Sequence, residues 1–96
     1  MMDKILSNIG LCNRAGGIIS GEEIVCEYMA SGKVFLIFLA NDASDNAKKK
    51  IINKANYYNV EVVESYSSAM LSHAIGKTGR MVLGVTNKSF LKILKK

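Results

Sequence analysis

The 96-residue chain contains no proline and no tryptophan, and it has only two cysteines and one histidine. Cys12 and Cys26 do not form a CxxC pair, and no cluster of histidines accompanies them. This pattern lacks the ligand spacing of a structural zinc site. The sequence therefore predicts two buried free thiols on helices, with no metal and no cofactor.

Long hydrophobic runs and low-complexity tracts are also missing. The longest apolar run, Val34–Ala40, is too short to cross a bilayer, and the first residues lack the basic-then-apolar plan of a signal peptide. We therefore expect a cytoplasmic protein without a membrane partner. A hydrophobic fraction of 49% beside 22% charged residues is typical of a globular chain, and we expect one domain over residues 1–96 with a single core.

Acidic residues are in the minority, since 8 acids stand against 13 basic residues and the formal net charge is +5. Such an excess favours polyanionic partners, nucleic acid above all. Many small domains are equally basic for solubility alone, so the charge indicates a class of partner to test without establishing it.

Apolar periodicity predicts that helices and strands alternate along the chain. The segment from Met2 to Cys12 carries Ile5, Ile9 and Cys12 on one helical face, and the continuous run Val34–Ala40 predicts a central strand covered on both faces. The other predicted elements are a strand at Ile18–Ile19, a helix capped by Ser44 with Ala47, Ile51, Ala55 and Tyr58 inward, a strand at Val60–Val63, a helix from Ser67 to Ala74, a strand at Met81–Val85 and a helix with Phe90, Leu91 and Leu94. This alternation predicts a sheet between layers of helices.

The stretch "SGEE" predicts the start of the second helix. Ser20 followed three residues later by Glu23 has the pattern of a capping box, and Gly32 is a natural residue to end the helix. With Ser20 as the N-cap, Gly21 would occupy the first helical position, where any L-residue is tolerated. The two glutamates are then explained by capping and by the helix dipole alone.

The stretch Gly76-Lys77-Thr78 has only part of the phosphate-binding P-loop pattern. That pattern needs a second glycine where the chain has Leu71, and it follows a strand, whereas a helix is predicted here. Nucleotide hydrolysis is therefore excluded. Contact of Lys77 and Arg80 with phosphates and a plain solvated turn remain equally good interpretations of this loop.

Other polar and aromatic residues have an ordinary structural explanation. The run Lys48–Lys50 favours a solvated helix face over direct nucleic-acid contact. Tyr57 and Tyr58 can stack on bases, but their position at a helix end favours packing. His73 lacks a neighbouring Cys, Ser or acid in an activating pattern, so we expect it at the surface. No nucleophile, base and orienting group are recognisable together, and we do not expect an enzyme.

Three stretches occur in an order and at a spacing that is typical of a known family: "GLCNRAG" from Gly10, "SGEE" from Ser20 and "LANDAS" from Leu39. On these residues the chain resembles, nearly end to end, the bacterial YlxQ-type proteins of the ribosomal L7Ae/L30e superfamily of kink-turn RNA-binding proteins. The resemblance implies a three-layer α/β/α sandwich with a four-stranded mixed sheet. It also implies a monomer that binds kink-turn RNA, with the ribosome as a further candidate partner.

In this family the RNA surface consists of the N-terminal end of the second helix and the loop before the last strand. A carboxylate suits the N–H donors of a guanine edge, while backbone amides and basic side chains suit phosphates. The resemblance therefore implies that an acid reads a base in an otherwise basic protein. The implied RNA-binding residues are Arg14, Ser20, Gly21, Glu22, Glu23, Glu27, Lys77, Thr78, Gly79 and Arg80.

The second helix differs from that of archaeal members, which carry Asn, Glu and Lys where this chain has Glu23, Ile24 and Glu27. Gly17 likewise stands where bacterial relatives tend to carry lysine. The function implied is non-enzymatic recognition of a kink-turn or similar bent RNA, ribosomal or regulatory. The altered helix start leaves open a second hypothesis, a ribosome-associated protein-interaction adaptor with weak or lost RNA binding.

Overall fold

A computed structural model describes residues 3–95 of the chain. Helices and strands alternate as the periodicity predicts, in the order α1 Lys4–Arg14, β1 Ile18–Ser20, α2 Glu22–Ala30, β2 Leu36–Leu39, α3 Asp45–Tyr58, β3 Glu61–Val63, α4 Ser68–Ala74, β4 Val82–Val85 and α5 Leu91–Leu94. A single 3-10 turn at Lys88–Phe90 leads into α5. The start predicted for the first helix at Met2 lies outside the described residues, and that helix continues to Arg14 rather than ending at Cys12.

The four strands form one mixed sheet in the order β1-β4-β2-β3. β4 is antiparallel to both β1 and β2, whereas β2 and β3 are parallel. In the centre of the sheet, Ile37 pairs with Gly84 on one side and with Val62 on the other. Every residue of β2 and β4 is buried, so the prediction of a central strand covered on both faces is confirmed.

Helices cover the sheet in two layers. α2 packs against α3, and α1 packs against α4 and α5. The core between the layers contains Phe38 from the central strand, Ile9 from α1, Met29 from α2 and Ile51 from α3, each at most 1% exposed. The predicted three-layer α/β/α sandwich is therefore confirmed.

Three of the helices begin with a side-chain cap. The Asp3 carboxylate accepts a hydrogen bond from the N–H of Ile5 at 2.7 Å at the start of α1. Ser44 and Ser67 accept from the third residue beyond them, each at 3.2 Å, at the starts of α3 and α4. The cap predicted at Ser44 is confirmed, and Ser67, predicted as the start of a helix, is the N-cap of α4. Each satisfies a backbone donor that the helix leaves open.

The capping box predicted for α2 is wrong. Ser20 is the last residue of β1 and pairs with Leu83, and the N–H of the next residue, Gly21, donates to the carbonyl of Val82 at 3.1 Å. The backbone around Ser20 is therefore already bonded within the sheet and cannot form the start of a helix. Gly21 is itself the N-cap, with φ 111° and ψ 142° and no side-chain hydrogen bond. Only glycine adopts this conformation without strain, so Gly21 is not a tolerant helical position.

The end of α2 agrees with its prediction. The N–H of Gly32 donates to the carbonyl of Met29 at 3.0 Å, and the N–H of Lys33 donates to that of Tyr28 at 2.9 Å. These two bonds form a Schellman motif, in which Gly32 has the left-handed backbone with φ 71°. The motif fixes the turn from α2 into the central strand.

The packing predicted for the tyrosine pair is wrong for Tyr57, whose side chain is 82% exposed. Tyr58 is 37% exposed, and the two rings meet edge to face with centroids 4.8 Å apart. Ile51 and Ala55 are the buried residues of α3, so the predicted inward position is wrong for Tyr58 as well, and helical spacing turns Tyr57 further outward. An exposed aromatic ring at this helix end is therefore a feature of the surface and not of the core.

Both cysteines are free, as predicted, and both lie on helices. Cys12 is fully buried in α1, and burial raises the pKa of its thiol to about 11. Cys26 in α2 is only partly buried, so the predicted burial is wrong for this thiol. Burial raises the pKa of the Cys26 thiol as well, while the nearby Lys50 and Lys54 act against the shift.

Within residues 3–95, no helix has the length and apolar character needed to cross a membrane.

Candidate functional site

A groove of about 480 Å³ lies at the start of α2. It brings together the end of β1, the first turn of α2, the middle of α3 and the end of the loop between α4 and β4. Its lining residues are Ser20, Gly21, Glu22, Glu23, Ile24, Lys50 and Arg80. Two segments that are far apart in the sequence, "SGEE" and the end of "GKTGR", therefore meet at one site.

The first turn of α2 leaves backbone donors open to this groove. The N–H groups of Glu22, Glu23 and Ile24 have no acceptor within the helix, and the N-cap Gly21 has no side chain to supply one. The partial positive charge of the helix start lies at the same place. The groove is thus built to receive a hydrogen-bond acceptor or an anion.

The two glutamates of the groove have different surroundings. The Nζ of Lys50 lies 3.1 Å from the Oε1 of Glu22, and the hydrogen bond to this carboxylate raises the pKa of the lysine. Glu23 is exposed and forms no ion pair in the part of the chain that the structure describes. Glu22 is therefore held by a neighbouring cation, whereas the carboxylate of Glu23 is available as an acceptor for a ligand.

The buried side chain of Ser72 fixes the backbone of Arg80. Its Oγ accepts a hydrogen bond from the Arg80 N–H at 2.8 Å and donates to the Arg80 carbonyl at 3.3 Å. The carbonyl of Ser72 also accepts from the N–H of Lys77 at 2.9 Å, so both ends of the loop are attached to α4. The Nε of Arg80 is buried and is the one such side-chain atom without a hydrogen-bond partner among the described residues. An arginine with an unsatisfied donor thus lines the groove.

The rest of the predicted loop residues line a neighbouring groove of about 430 Å³. Lys77, Thr78 and Gly79 lie there beside the start and middle of α4. His73 lines the same groove and is exposed, as predicted. The predicted loop therefore faces two adjacent grooves, with Arg80 in the first and the other three residues in the second.

Two other predicted site residues lie apart from the start of α2. Arg14 lines a third groove, between α1 and α4, together with Asn13 and Gly76. Glu27 is exposed one turn further along α2 and does not line the first groove. The structure thus brings together Ser20, Gly21, Glu22, Glu23 and Arg80, and it places Arg14 and Glu27 at the periphery.

Sequence reasoning missed Lys50 and Ser72 as parts of the site. The run Lys48–Lys50 was visible, but helical spacing alone does not say which lysine reaches across to α2. Ser72 carries no local signal, because its role depends on a loop that returns to it eight residues later. The apolar residue Ile24 lines the groove and is 46% exposed.

Gly17 is buried, and its surroundings leave little room for a side chain. A Cβ atom at this position would lie 2.7 Å from the Sγ of Cys12 and 3.0 Å from the Cβ of Asn87. Position 17 therefore cannot accept a larger side chain unless the neighbouring residues move. Within residues 3–95, no three His, Cys, Asp or Glu side chains are grouped so as to hold a metal ion.

Comparison with known proteins matches residues 3–95 to the model of the ribosomal protein L7Ae/L30e/S12e/Gadd45 family. The RNA-binding protein YlxQ of Enterococcus faecium is 42% identical over 89 residues, which cover 93% of this chain and 85% of the relative. The RNA-binding protein YlxQ of Bacillus subtilis is 40% identical over 82 residues, which cover 85% of this chain and 82% of the relative.

Two solved structures have the same fold. A Bacillus halodurans protein of unknown function superposes with a TM-score of 0.94 at 37% identity, covering 98% of this chain and 95% of the other. The 15.5kD RNA binding protein of Giardia lamblia superposes with a TM-score of 0.82 at 17% identity, covering 96% and 79%. The second likeness concerns the fold alone.

Proposed function

The chain belongs to the ribosomal protein L7Ae/L30e/S12e/Gadd45 family, and from this membership we propose that it is a non-enzymatic RNA-binding protein. Its target is a kink-turn or a similarly bent RNA of ribosomal or regulatory origin. The two similar bacterial proteins named RNA-binding protein YlxQ support an RNA partner. The excess of basic residues supports the same class of ligand.

The observation that carries the proposal is the groove in which the start of α2 meets Arg80. Both halves of the RNA surface expected from the family resemblance contribute to it. Gly21 presents the helix start without a side chain, and Arg80 supplies a cation whose backbone is fixed by Ser72. A mixed-charge groove with a backbone-anchored arginine suits a folded RNA of defined shape better than a flexible polyanion.

Each kind of group in the groove has a matching group on a bent RNA. The open amides of α2 suit phosphate oxygens, and Arg80 suits phosphates or base acceptors. The free carboxylate of Glu23 suits the N–H donors on the guanine edges that tandem sheared G·A pairs expose. Lys77 in the neighbouring groove extends the contact to the RNA backbone.

The proposal is tested by titrating the protein with a kink-turn RNA and with a matched RNA in which Watson–Crick pairs replace the sheared G·A pairs. We expect the kink-turn RNA to bind at least about tenfold more tightly, a difference of about 1.4 kcal/mol. Equal affinity for both RNAs at the same salt concentration would contradict kink-turn recognition. The protein would then be a general RNA-binding protein.

A second candidate function is supported by exposed apolar residues on α2. Ile24 and Tyr28 are one turn apart, 46% and 38% exposed, and Ile24 stands where an archaeal relative carries a polar residue. These features suit a ribosome-associated adaptor whose α2 contacts a protein. Two results together would favour the adaptor. The first is weak and unselective RNA binding by the parent protein, and the second is ribosome association that the variant Ile24→Ser abolishes.

A further inference from the structure

We propose that the exposed face of α3 is a second RNA-binding surface, which takes a single-stranded segment that leaves the groove at the start of α2. The inference rests on the proposed RNA-binding function and extends it to a different part of the RNA. It assigns a role to the lysine run and to the exposed tyrosine, neither of which the groove alone explains.

Two adjacent stripes make up this face of α3. Lys50, Lys54 and Tyr57 recur at helical spacing on one stripe, and the second stripe contains Lys49, Asn53 and Asn56. All six side chains are exposed. In contrast, Ile51 and Ala55 on the opposite side of the helix are buried. The face is therefore cationic and amide-rich, and it ends in an aromatic ring.

The charge of the face is of one sign. From Asn46 to Val60 the sequence contains four lysines and no acid. Among the described residues, acids approach these lysines only at the first turns of the helix, where Glu22 pairs with Lys50, Glu23 also acts on Lys50, and Asp42 acts on Lys48. Lys49 and Lys54 form no ion pair within the described chain. They are thus available to phosphates along the outer surface of the helix.

The aromatic end of the face is arranged for stacking. The ring of Tyr57 is 82% exposed, and its neighbour Tyr58 contacts it edge to face at 4.8 Å with an interplanar angle of 87°. This contact supports the ring from one side and leaves a face open. An open aromatic face beside lysines is the arrangement that single-stranded nucleic acids bind without regard to sequence.

The face is continuous with the groove. Lys50 lines the groove and also begins the stripe that ends at Tyr57, about 10 Å further along the helix axis. A strand that leaves the groove can therefore follow the lysines and place a base on Tyr57. The stripes hold no exposed aliphatic side chain, which argues against a hydrophobic protein partner on this face.

The test compares a blunt-ended kink-turn RNA with the same RNA carrying about five extra uridines at its 5′ or its 3′ end. For the parent protein, we expect one of the two extensions to tighten binding by about fivefold or more. Tyr57→Ala and Lys54→Gln should each remove most of this gain and leave the affinity for the blunt RNA unchanged.

Matched control variants show whether the gain in affinity depends on the aromatic ring and on charge at α3, or on the total charge of the protein. Tyr57→Phe retains the ring and should keep the gain, and Lys92→Gln removes one exposed charge from α5 and should also keep it. Thermal melts of all variants should coincide with that of the parent, since the altered side chains are exposed.

The outcomes also separate this inference from the proposed function. If the blunt RNA binds but neither extension adds affinity, or if the gain survives Tyr57→Ala, the α3 surface is overturned and the groove stands. If the blunt RNA does not bind, kink-turn recognition fails. Binding of free oligouridine that depends on Tyr57 would then still support the α3 surface, and its absence would overturn that surface as well.

Discussion

Ser72 and Arg80 are joined by two hydrogen bonds, since the Oγ of Ser72 accepts from the Arg80 N–H at 2.8 Å and donates to the Arg80 carbonyl at 3.3 Å. Ser72 is 4% exposed and is the one buried polar residue among those described. A side chain of the helix layer thus sets the position of a cation in the groove.

Removal of this hydroxyl should affect both folding and binding. Ser72→Ala leaves the backbone groups of Arg80 without their partner, and we expect a loss of about 1–2 kcal/mol in the free energy of unfolding. The affinity for kink-turn RNA should fall several-fold because Arg80 is no longer held in place. The control is Ser31→Ala, which removes an exposed hydroxyl bonded to the Glu27 carbonyl and should change neither quantity. Urea denaturation and RNA titration provide the two measurements.

The start of α2 is tested by a pair of alanine variants. Gly21→Ala forces an L-residue to φ 111° and should destabilise the fold by about 1–3 kcal/mol. Ser20→Ala removes a side chain that caps nothing and should cost less than about 0.5 kcal/mol. A capping box would produce the opposite order, with Ser20→Ala as the costly change. Denaturant melts of both variants decide between the two arrangements.

Glu22 and Glu23 should differ in their effect on RNA selectivity. Glu23→Gln replaces one acceptor oxygen of the carboxylate with an NH₂ donor, and we expect the preference for the G·A-containing RNA to fall by about tenfold. Glu22→Gln releases Lys50 from its ion pair and should retain the preference. The ratio of the affinities for the kink-turn and the Watson–Crick RNA is the quantity to compare. An equal loss of selectivity in both variants would contradict the separate roles.

The loop residues should contribute to the salt dependence of binding. We expect Lys77→Gln to lower the slope of log affinity against log salt concentration by about 0.7–0.9, the value for one phosphate contact. Its melting temperature should not change, because Lys77 is exposed. Arg80→Gln should lower the slope similarly. An unchanged slope in the Lys77 variant would remove that residue from the RNA surface.

The buried thiol of Cys12 should make the protein less stable at high pH. Its folded-state pKa is raised to about 11 from an ordinary value of 9.0, so the unfolded chain loses this proton first as the pH rises. The associated stability is present below pH 9 and is lost progressively between pH 9 and about 11. Cys12→Ala should show a shallower decline over this range in denaturant melts at stepwise pH. Parallel curves for parent and variant would assign the decline to other groups.

Much of this protein follows from local sequence. Hydrophobic periodicity predicted the order of helices and strands, because a helix with one buried face and a strand buried on both faces have different spacings of apolar residues in the sequence. Ser44 was recognised as a helix cap, and Gly32 was recognised as a helix end. These features depend on residues that are close in the chain, so the sequence by itself determined them.

Tertiary structure decided what the site looks like. Pairing of Ser20 with Leu83 extends β1 and gives Gly21 its positive φ, a result that depends on a strand more than sixty residues away. Packing of α2 against α3 selects Lys50 as the partner of Glu22. The rotation of α3 on the sheet leaves Tyr57 exposed. Each of these outcomes depends on contacts between distant segments, whose geometry is set only when the sheet and its two helix layers pack together.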